Sequence, residues 1–160
     1  MYPAHRVLIV EDDCNALSGY LEFLTAAGFE VTGVANGAAA LVLALDNPPA
    51  AVVTDITMPG MNGFELAAAL RGDCRTRSIP VIGLTGHWST DVHAHAREVA
   101  MQVILSKPCI PAHLVAELER LLAPLEFVDR RSAAGASRIA YAGADLPDAR
   151  SVFGSSRAAS

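Results

Sequence analysis

The sequence predicts an α/β fold, a doubly wound parallel sheet of five strands with helices on both faces. Three observations predict it. Short runs rich in β-branched residues alternate with stretches of helical periodicity, as in buried parallel strands joined by helices. Four of the five runs end at a polar residue, at the edge where ligands bind in such sheets. The alternation is uninterrupted, so right-handed strand–helix–strand crossovers are the simplest connection.

The first two strand–helix units are defined by periodicity and by the residues that end them. Residues 7–10 form the first strand, and apolar residues at helical spacing over 16–24 form the first helix. Gly28 is a typical residue just past such a helix, because glycine adopts the left-handed conformation without strain. The second strand covers residues 30–34. An alanine-rich helix over residues 37–45 follows, and two consecutive prolines close it.

The next units have the same order. The third strand, residues 51–54, leads through a loop into a helix over residues 64–71. The fourth strand, residues 81–84, follows a proline, which is tolerated at a strand start because no ladder donor is needed there. A polar helix over residues 89–100 leads to the fifth strand, residues 103–106.

The regular pattern stops at Pro124. Pro111 opens the last helix, which carries leucines and a valine at helical spacing. We predict one domain over residues 1–124 and a flexible tail over residues 125–160. The tail is rich in Ala, Ser, Gly and Arg and has few large apolar residues. Two short apolar segments of the tail could dock on another surface: residues 139–141 and 152–153.

Composition and charge narrow the function classes. With 52% hydrophobic residues the chain is globular, yet no apolar run approaches the roughly 20 residues of a membrane span. We find no signal peptide and no CxxC spacing among the three cysteines, and therefore expect reduced thiols and a cytoplasmic location. Residues 1–124 carry 13 acidic and 7 basic residues, and the tail carries 4 and 5. Neither part has the clustered basic face of a nucleic-acid-binding protein.

The residues at the strand ends suggest phosphate chemistry. Glu11 and Asp12 follow the first strand and Asp55 follows the third, so three carboxylates converge on a small volume. A carboxylate can attack phosphorus covalently, and Mg²⁺ prefers carboxylate, carbonyl and water oxygens. Thr85 ends the fourth strand and supplies a hydroxyl donor. Lys107, the only lysine in the chain, follows the fifth strand and can reach phosphate oxygens.

Four motifs, in the right order and with fitting spacing, resemble the receiver domain of two-component response regulators. They are VLIVEDD at the first strand, TDITMPGMNG at the third, PVIGLTG at the fourth and LSKP at the fifth. The resemblance covers residues 6–123 and implies a flavodoxin-like (βα)5 fold with strand order 2-1-3-4-5. It also favours a cis peptide bond before Pro108.

The resemblance implies a role for each site residue. Asp55 would be the phosphoacceptor for a histidine kinase or a histidine phosphotransfer protein. Lys107 would pair with the phosphoryl group, and Thr85 would hydrogen-bond it after phosphorylation. The implied magnesium ligands are Glu11, Asp12, Asp55 and the backbone carbonyl of Thr57.

The same resemblance implies a signalling protein that catalyses only its own phosphorylation and dephosphorylation. Its output would be protein–protein contact through the surface of the fourth helix, fifth strand and fifth helix, with a weak homodimer possible there. We expect no direct contact with nucleic acid and no membrane insertion. The sequence does not decide between a stand-alone, chemotaxis-type regulator and a relay link to a phosphotransfer protein, and it does not name the kinase or the target.

Some positions depart from the family's usual pattern or fall where it varies. Ile104 replaces the aromatic residue that many receivers use as a rotameric switch, and Cys109 also stands where an aromatic residue is usual. Thr57 and His87 occupy positions that tune the lifetime of the phosphate. We expect Cys109 and Cys14 to pack as small apolar residues near the site.

The sequence leaves two other function classes as alternatives. An aspartate-nucleophile phosphohydrolase typically has a second aspartate two residues after the nucleophile, and Thr57 occupies that position here. A receiver-like scaffold that works without phosphorylation would not need to keep all five site residues, which are Glu11, Asp12, Asp55, Thr85 and Lys107. His93 and His95 are two apart on a predicted helix and cannot chelate a metal together.

Overall fold

The five predicted strand–helix units are present in the computed structural model, which describes residues 4–123 and 140–142. The strands are β1 (Arg6–Val10), β2 (Glu30–Val34), β3 (Ala51–Asp55), β4 (Val81–Thr85), β5 (Val103–Ser106) and β6 (Ala140–Ala142). The helices are α1 (Cys14–Ala26), α2 (Gly37–Asp46), α3 (Gly63–Arg71), α4 (Thr90–Glu98) and α5 (Pro111–Leu122). Within the described residues, none of these helices has the length and apolarity to cross a membrane.

The sheet has the predicted order. Its first five strands are arranged β2-β1-β3-β4-β5, and all neighbouring pairs are parallel. Every residue of β3 and β4 is buried, because helices cover both faces of the central strands. Val10 pairs with Thr54, and Thr85 pairs with Ser106, so these strands end at nearly the same level. The polar residues that follow them therefore meet at one edge of the sheet.

The helices divide between the two faces of the sheet. On one face, α2, α3 and α4 pack over a core that includes Leu66, Leu70 and Met101. On the other face, α1 and α5 contribute Leu24 and Leu114. All five side chains are fully buried, and burial of each stabilises the fold by about 1.5–3 kcal/mol. Both cores continue to the edge at which the polar residues meet.

Local interactions move two helix boundaries from their predicted positions. Asp13 Oδ1 accepts hydrogen bonds of 2.9 Å from two backbone N–H groups of the first turn, so α1 begins at Cys14, before the predicted start. At the other helix, α4 ends at Glu98 and not at residue 100. The reason is that Ala100 adopts a left-handed conformation with φ 55°, which turns the chain towards β5.

Arg71 fastens the end of α3 to the loops that precede β4 and β5. Its guanidinium donates to the carbonyl oxygens of Arg77 and Ile79 at 2.7 Å, of Ala100 at 2.9 Å, and to Gln102 Oε1 at 3.2 Å. Burial lowers the pKa of Arg71, because the cation loses part of its hydration. The sequence held no signal for this cluster, since most of its acceptors are backbone oxygens.

One strand lies inside the region predicted to be a tail. Residues 140–142 form β6, which pairs in parallel with β5 and places Tyr141 opposite Ile104. The sequence marked residues 139–141 only as an apolar segment that could dock. The other residues of the predicted tail lie outside the described part of the chain, and the boundary at residue 124 stays a prediction.

Candidate functional site

Three carboxylates meet at the carboxyl ends of β1 and β3. Glu11 and Asp12 follow β1, and Asp55 is the last residue of β3. One oxygen from each of the three lies within 4.8 Å of the others. Glu11 and Asp55 are 1% and 6% exposed, whereas Asp12 is exposed to solvent. The site thus opens to solvent beside Asp12, with two buried acids next to it.

Lys107 reaches across the site to both buried acids. Its Nζ donates to Glu11 Oε2 at 2.7 Å and to Asp55 Oδ2 at 3.0 Å. The backbone N–H of Lys107 donates to Thr85 O at 2.7 Å, which ties this residue to the end of β4. The peptide bond between Lys107 and Pro108 is cis, as the family resemblance favours. The only lysine of the chain is thus fixed at both its backbone and its ammonium group.

The ionisation of Glu11 and Lys107 is perturbed by this arrangement. Burial raises the pKa of Glu11, and the hydrogen bonds from Lys107 and from the Asp13 N–H offset only part of that effect. Burial lowers the pKa of Lys107, but its hydrogen bonds to Glu11 and Asp55 outweigh burial, so its pKa is raised. The lysine is therefore charged at neutral pH. The pocket holds three carboxyl groups and one ammonium group, so its charge can be balanced further by a second cation.

Both oxygens of Asp55 have a donor. Besides the bond from Lys107 to Oδ2, the backbone N–H of Thr57 donates to Oδ1 at 3.2 Å. These contacts fix the rotation of the carboxylate at the end of β3. They also hold Thr57, whose carbonyl is the implied metal ligand, next to Asp55.

Gly63 allows α3 to begin directly against the backbone of the site. A Cβ atom at this position would lie 2.5 Å from Asp55 O, which is closer than any real contact. The N–H of Gly63 donates to Ile56 O at 2.9 Å, and a capping box between Asn62 and Glu65 fixes the start of the helix. Sequence reasoning placed this glycine in a motif but did not identify it as a close approach.

Thr85 is placed at the site, but its hydroxyl is engaged elsewhere. The Oγ1 atom donates to His87 O at 2.8 Å and accepts from His87 N–H at 3.0 Å. The residue is 1% exposed. In this conformation the threonine stabilises the loop between β4 and α4.

The histidines of α4 have different aromatic neighbours. His95 stacks on Phe64 with ring centroids 4.1 Å apart, and His93 meets Trp88 edge to face at 4.4 Å. Burial and the nearby Arg97 lower the pKa of His93.

Within the described residues, a group of three side chains able to hold a metal is found only at Glu11, Asp12 and Asp55.

One prediction for the cysteines was wrong. Cys14, the first residue of α1, is exposed and therefore does not pack as a small apolar residue. Cys109 is partly buried against the core between the sheet and α5, as expected, and burial raises its pKa. At the position of the missing aromatic switch, Ile104 is fully buried.

Fold and site together define a class of protein, a parallel α/β domain with an acidic pocket and a lysine across it. The chain belongs to the response regulator receiver domain family, whose model matches residues 7–119. Receiver domains are signalling proteins of two-component systems. They interact with histidine kinases, are typically phosphorylated on aspartate, and bind Mg²⁺ in the acidic pocket.

Curated relatives share the domain but are longer. The transcriptional regulatory protein PrrA of Mycobacterium tuberculosis is 38% identical over 117 residues, which are 73% of this chain and 49% of PrrA. The response regulator PleD of Caulobacter vibrioides is 33% identical over 143 residues, which are 87% of this chain and 31% of PleD. The chain therefore spans about half, or less, of the length of these relatives.

Solved structures match the same domain. The chemotaxis protein CheY4 of Vibrio cholerae is 30% identical with a TM-score of 0.72, and the match covers 75% of this chain and all of CheY4. The receiver domain of the sensor histidine kinase PA1611 of Pseudomonas aeruginosa is 25% identical with a TM-score of 0.71, covering 76% of this chain and all of that domain. That structure has a magnesium ion coordinated in its active site cleft.

Proposed function

We propose that Asp55 is the phosphoacceptor of this receiver domain and takes a phosphoryl group from phosphohistidine on a histidine kinase or a histidine phosphotransfer protein. One observation carries the proposal. Asp55 is held at the edge of the sheet by Lys107 at 3.0 Å and by the Thr57 N–H at 3.2 Å, beside two further acids. This arrangement fixes the Asp55 carboxylate at the end of β3 with a cation beside it.

The transfer exchanges one bond to phosphorus for another. An oxygen of Asp55 attacks phosphorus, an O–P bond forms, and the N–P bond to the donor histidine breaks with its electron pair returning to the imidazole. Lys107 shifts its hydrogen bonding from the Asp55 carboxylate to the phosphoryl oxygens and neutralises part of their charge. Most of the rate gain comes from positioning and charge neutralisation, as in other phosphoryl transfers.

The donor set fits a magnesium ion. Hard cations of this size prefer oxygen ligands and keep several waters, and the pocket offers three carboxylates with an opening to solvent beside Asp12. When bound, the ion neutralises the phosphoryl oxygens and the clustered acids. We propose that its ligands are Glu11, Asp12, Asp55 and the backbone carbonyl of Thr57.

Thr85 connects the phosphorylated site to the protein surface. We propose that its hydroxyl leaves His87 O and donates to a phosphoryl oxygen, which draws the β4–α4 loop inward. The surface formed by α4, β5 and α5 then changes and signals to a downstream protein in the cytoplasm. This function includes no direct nucleic-acid or membrane contact.

The test is the mass of the intact protein after incubation with Mg²⁺ and acetyl phosphate. The wild-type chain should gain one labile phosphoryl group, and Asp55→Asn should gain none. Lys107→Ala should be phosphorylated more slowly, because the cation that stabilises the developing charge is missing. Asp12→Asn should need a higher Mg²⁺ concentration, because it removes one ligand.

Matched measurements separate this function from the alternatives. Circular dichroism of each variant shows that loss of the adduct is not loss of the fold. Asp46→Asn, on α2 and outside the acid cluster, is the control for a lost carboxylate. If folded wild-type protein also fails to accept phosphate from a histidine kinase, the proposal is wrong and the phosphorylation-independent scaffold replaces it. Continuous release of phosphate from small phosphoesters would instead indicate a phosphohydrolase.

A further inference from the structure

Without β6, β5 would be the outer strand of the sheet, and α4 and α5 pack on opposite faces of that sheet. An outer strand presents a row of backbone N–H and C=O groups that pair readily with another extended segment. The three residues Val103, Ile104 and Leu105 are apolar and buried, so this strand has no charged side chain to discourage pairing. The opposite outer strand, β2, begins with the exposed Glu30 and is less buried throughout.

The chain covers this edge with its own later residues. Val103, Ile104 and Leu105 pair in parallel with residues 140, 141 and 142, respectively. β6 therefore lies along the backbone of β5, on the side away from β4. A sheet edge occupied in this way cannot accept a second strand, because both would use the same donors and acceptors.

We propose that residues 140–142 cap the β5 edge in cis, and that this edge accepts an extended peptide segment of a partner protein when the cap leaves. Strand addition to a sheet edge is a common mode of peptide recognition, in which main-chain hydrogen bonds supply affinity. The cap pairs with three residues of β5, which has four, so an incoming strand can also pair beside Ser106 and make more hydrogen bonds than the cap does. The link to signalling rests on the proposed function, which assigns output to the α4–β5–α5 surface; the cap itself does not depend on it.

Hydrogen exchange of the β5 amides in the full chain tests the cap. The N–H groups of neighbouring residues point to opposite edges of a strand, so one of residues 140 and 141 has its N–H directed at β5. The double variant Ala140→Pro/Tyr141→Pro removes that donor, whichever of the two residues supplies it. The matched control is Ala158→Pro/Ala159→Pro, which places the same two residues elsewhere in the same tail. Peptides containing β1, which is paired on both sides, report any change in global stability.

We expect amides of β5 to exchange at least tenfold faster in the Ala140→Pro/Tyr141→Pro variant than in wild type and control, with β1 unchanged. Equal β5 exchange in all three proteins would overturn the cap. Protection of β5 in wild type that disappears on tenfold dilution would also overturn it, because a second copy of the chain would then supply the strand.

A synthetic peptide with the sequence of residues 136–146 tests whether the edge accepts an extended segment. Added in excess to the double-proline variant, it should restore slow exchange in β5, whereas a scrambled peptide should not. Failure of the peptide to protect an uncapped edge would overturn the second half of the proposal. All of these measurements are made without a phosphodonor. Labelling of the same variants with acetyl phosphate tests the proposed phosphorylation of Asp55 separately.

Discussion

Replacing Lys107 with methionine tests whether this residue compensates the charge of the pocket. The substitution keeps the length of the side chain and removes two hydrogen bonds to buried carboxylates, of 2.7 and 3.0 Å. Hydrogen bonds to charged groups contribute about 1.5–3 kcal/mol each, and leaving a buried charge without its partner costs about 3–5 kcal/mol. Because the Lys107 side chain is 27% exposed, water relieves part of this cost. We expect a loss of about 3 kcal/mol in free energy of unfolding at pH 7 without Mg²⁺.

Urea unfolding followed by circular dichroism measures this loss. With a slope of about 2 kcal/mol per molar urea, the midpoint should fall by about 1.5 M. Excess Mg²⁺ should restore part of the stability, because a bound cation replaces the missing ammonium group. The cost should also shrink as the pH falls, because Glu11, whose pKa burial raises, becomes neutral.

Arg120→Met is the matched control. Arg120 makes a 2.7 Å ion pair with Glu117 on the surface of α5, and such pairs contribute about 0–1 kcal/mol. A Lys107→Met variant as stable as this control, with no response to Mg²⁺ or pH, would refute the account of Lys107 as the compensating cation. Stability lost without any Mg²⁺ response would show that the pocket does not hold the ion.

Three further variants have expected outcomes. Glu11→Gln should raise the free energy of unfolding at pH 7 without Mg²⁺, since the raised pKa of Glu11 means that burying its carboxylate is unfavourable. The gain should vanish below the ordinary pKa of 4.5, where Glu11 is neutral in both the folded and the unfolded chain, and urea titrations at several pH values would show this. Gly63→Ala should lower the free energy of unfolding by about 1–3 kcal/mol and slow labelling by acetyl phosphate, because the new Cβ must displace the backbone of Asp55. A normal labelling rate would contradict the close approach. Ala100→Gly should stabilise the fold by about 0.5 kcal/mol, because glycine relieves the left-handed strain at φ 55°. The backbone oxygen of residue 100 can still accept the hydrogen bond from Arg71. A lower stability in urea would contradict this prediction.

The strands were predictable because each is a short apolar run with a marked end. β3 and β4 are buried on both faces and therefore read as continuous runs, and the parallel register brings Asp55 and Thr85 to one edge. Lys107 could be predicted to lie at the same edge because it follows β5, which also ends there. Side-chain chemistry and sheet geometry were enough to assemble the pocket from these positions.

Other features depend on contacts that leave little trace in the pattern of residues. Arg71 has backbone oxygens as most of its acceptors, and any loop could supply those. Gly63 matters because α3 starts against Asp55 O, a distance set by packing. β6 is a three-residue strand in a stretch without periodicity, and its pairing follows from the free edge of β5. These features are tertiary, and local propensity carries no information about them.

The neighbours of α4 indicate how a signal from Thr85 would travel under the proposed function. Ile104 is fully buried and aliphatic, so it cannot act by swinging a ring between the surface and the interior. Near its end, α4 is fixed, because Arg71 holds the oxygen of Ala100 and His95 stacks on Phe64. At its start, the preceding loop is closed by the exchangeable hydrogen bond from Thr85 to His87 O. Under the proposed function, a pull on the Thr85 hydroxyl would therefore move the first turn of α4 while its last turn stays in place.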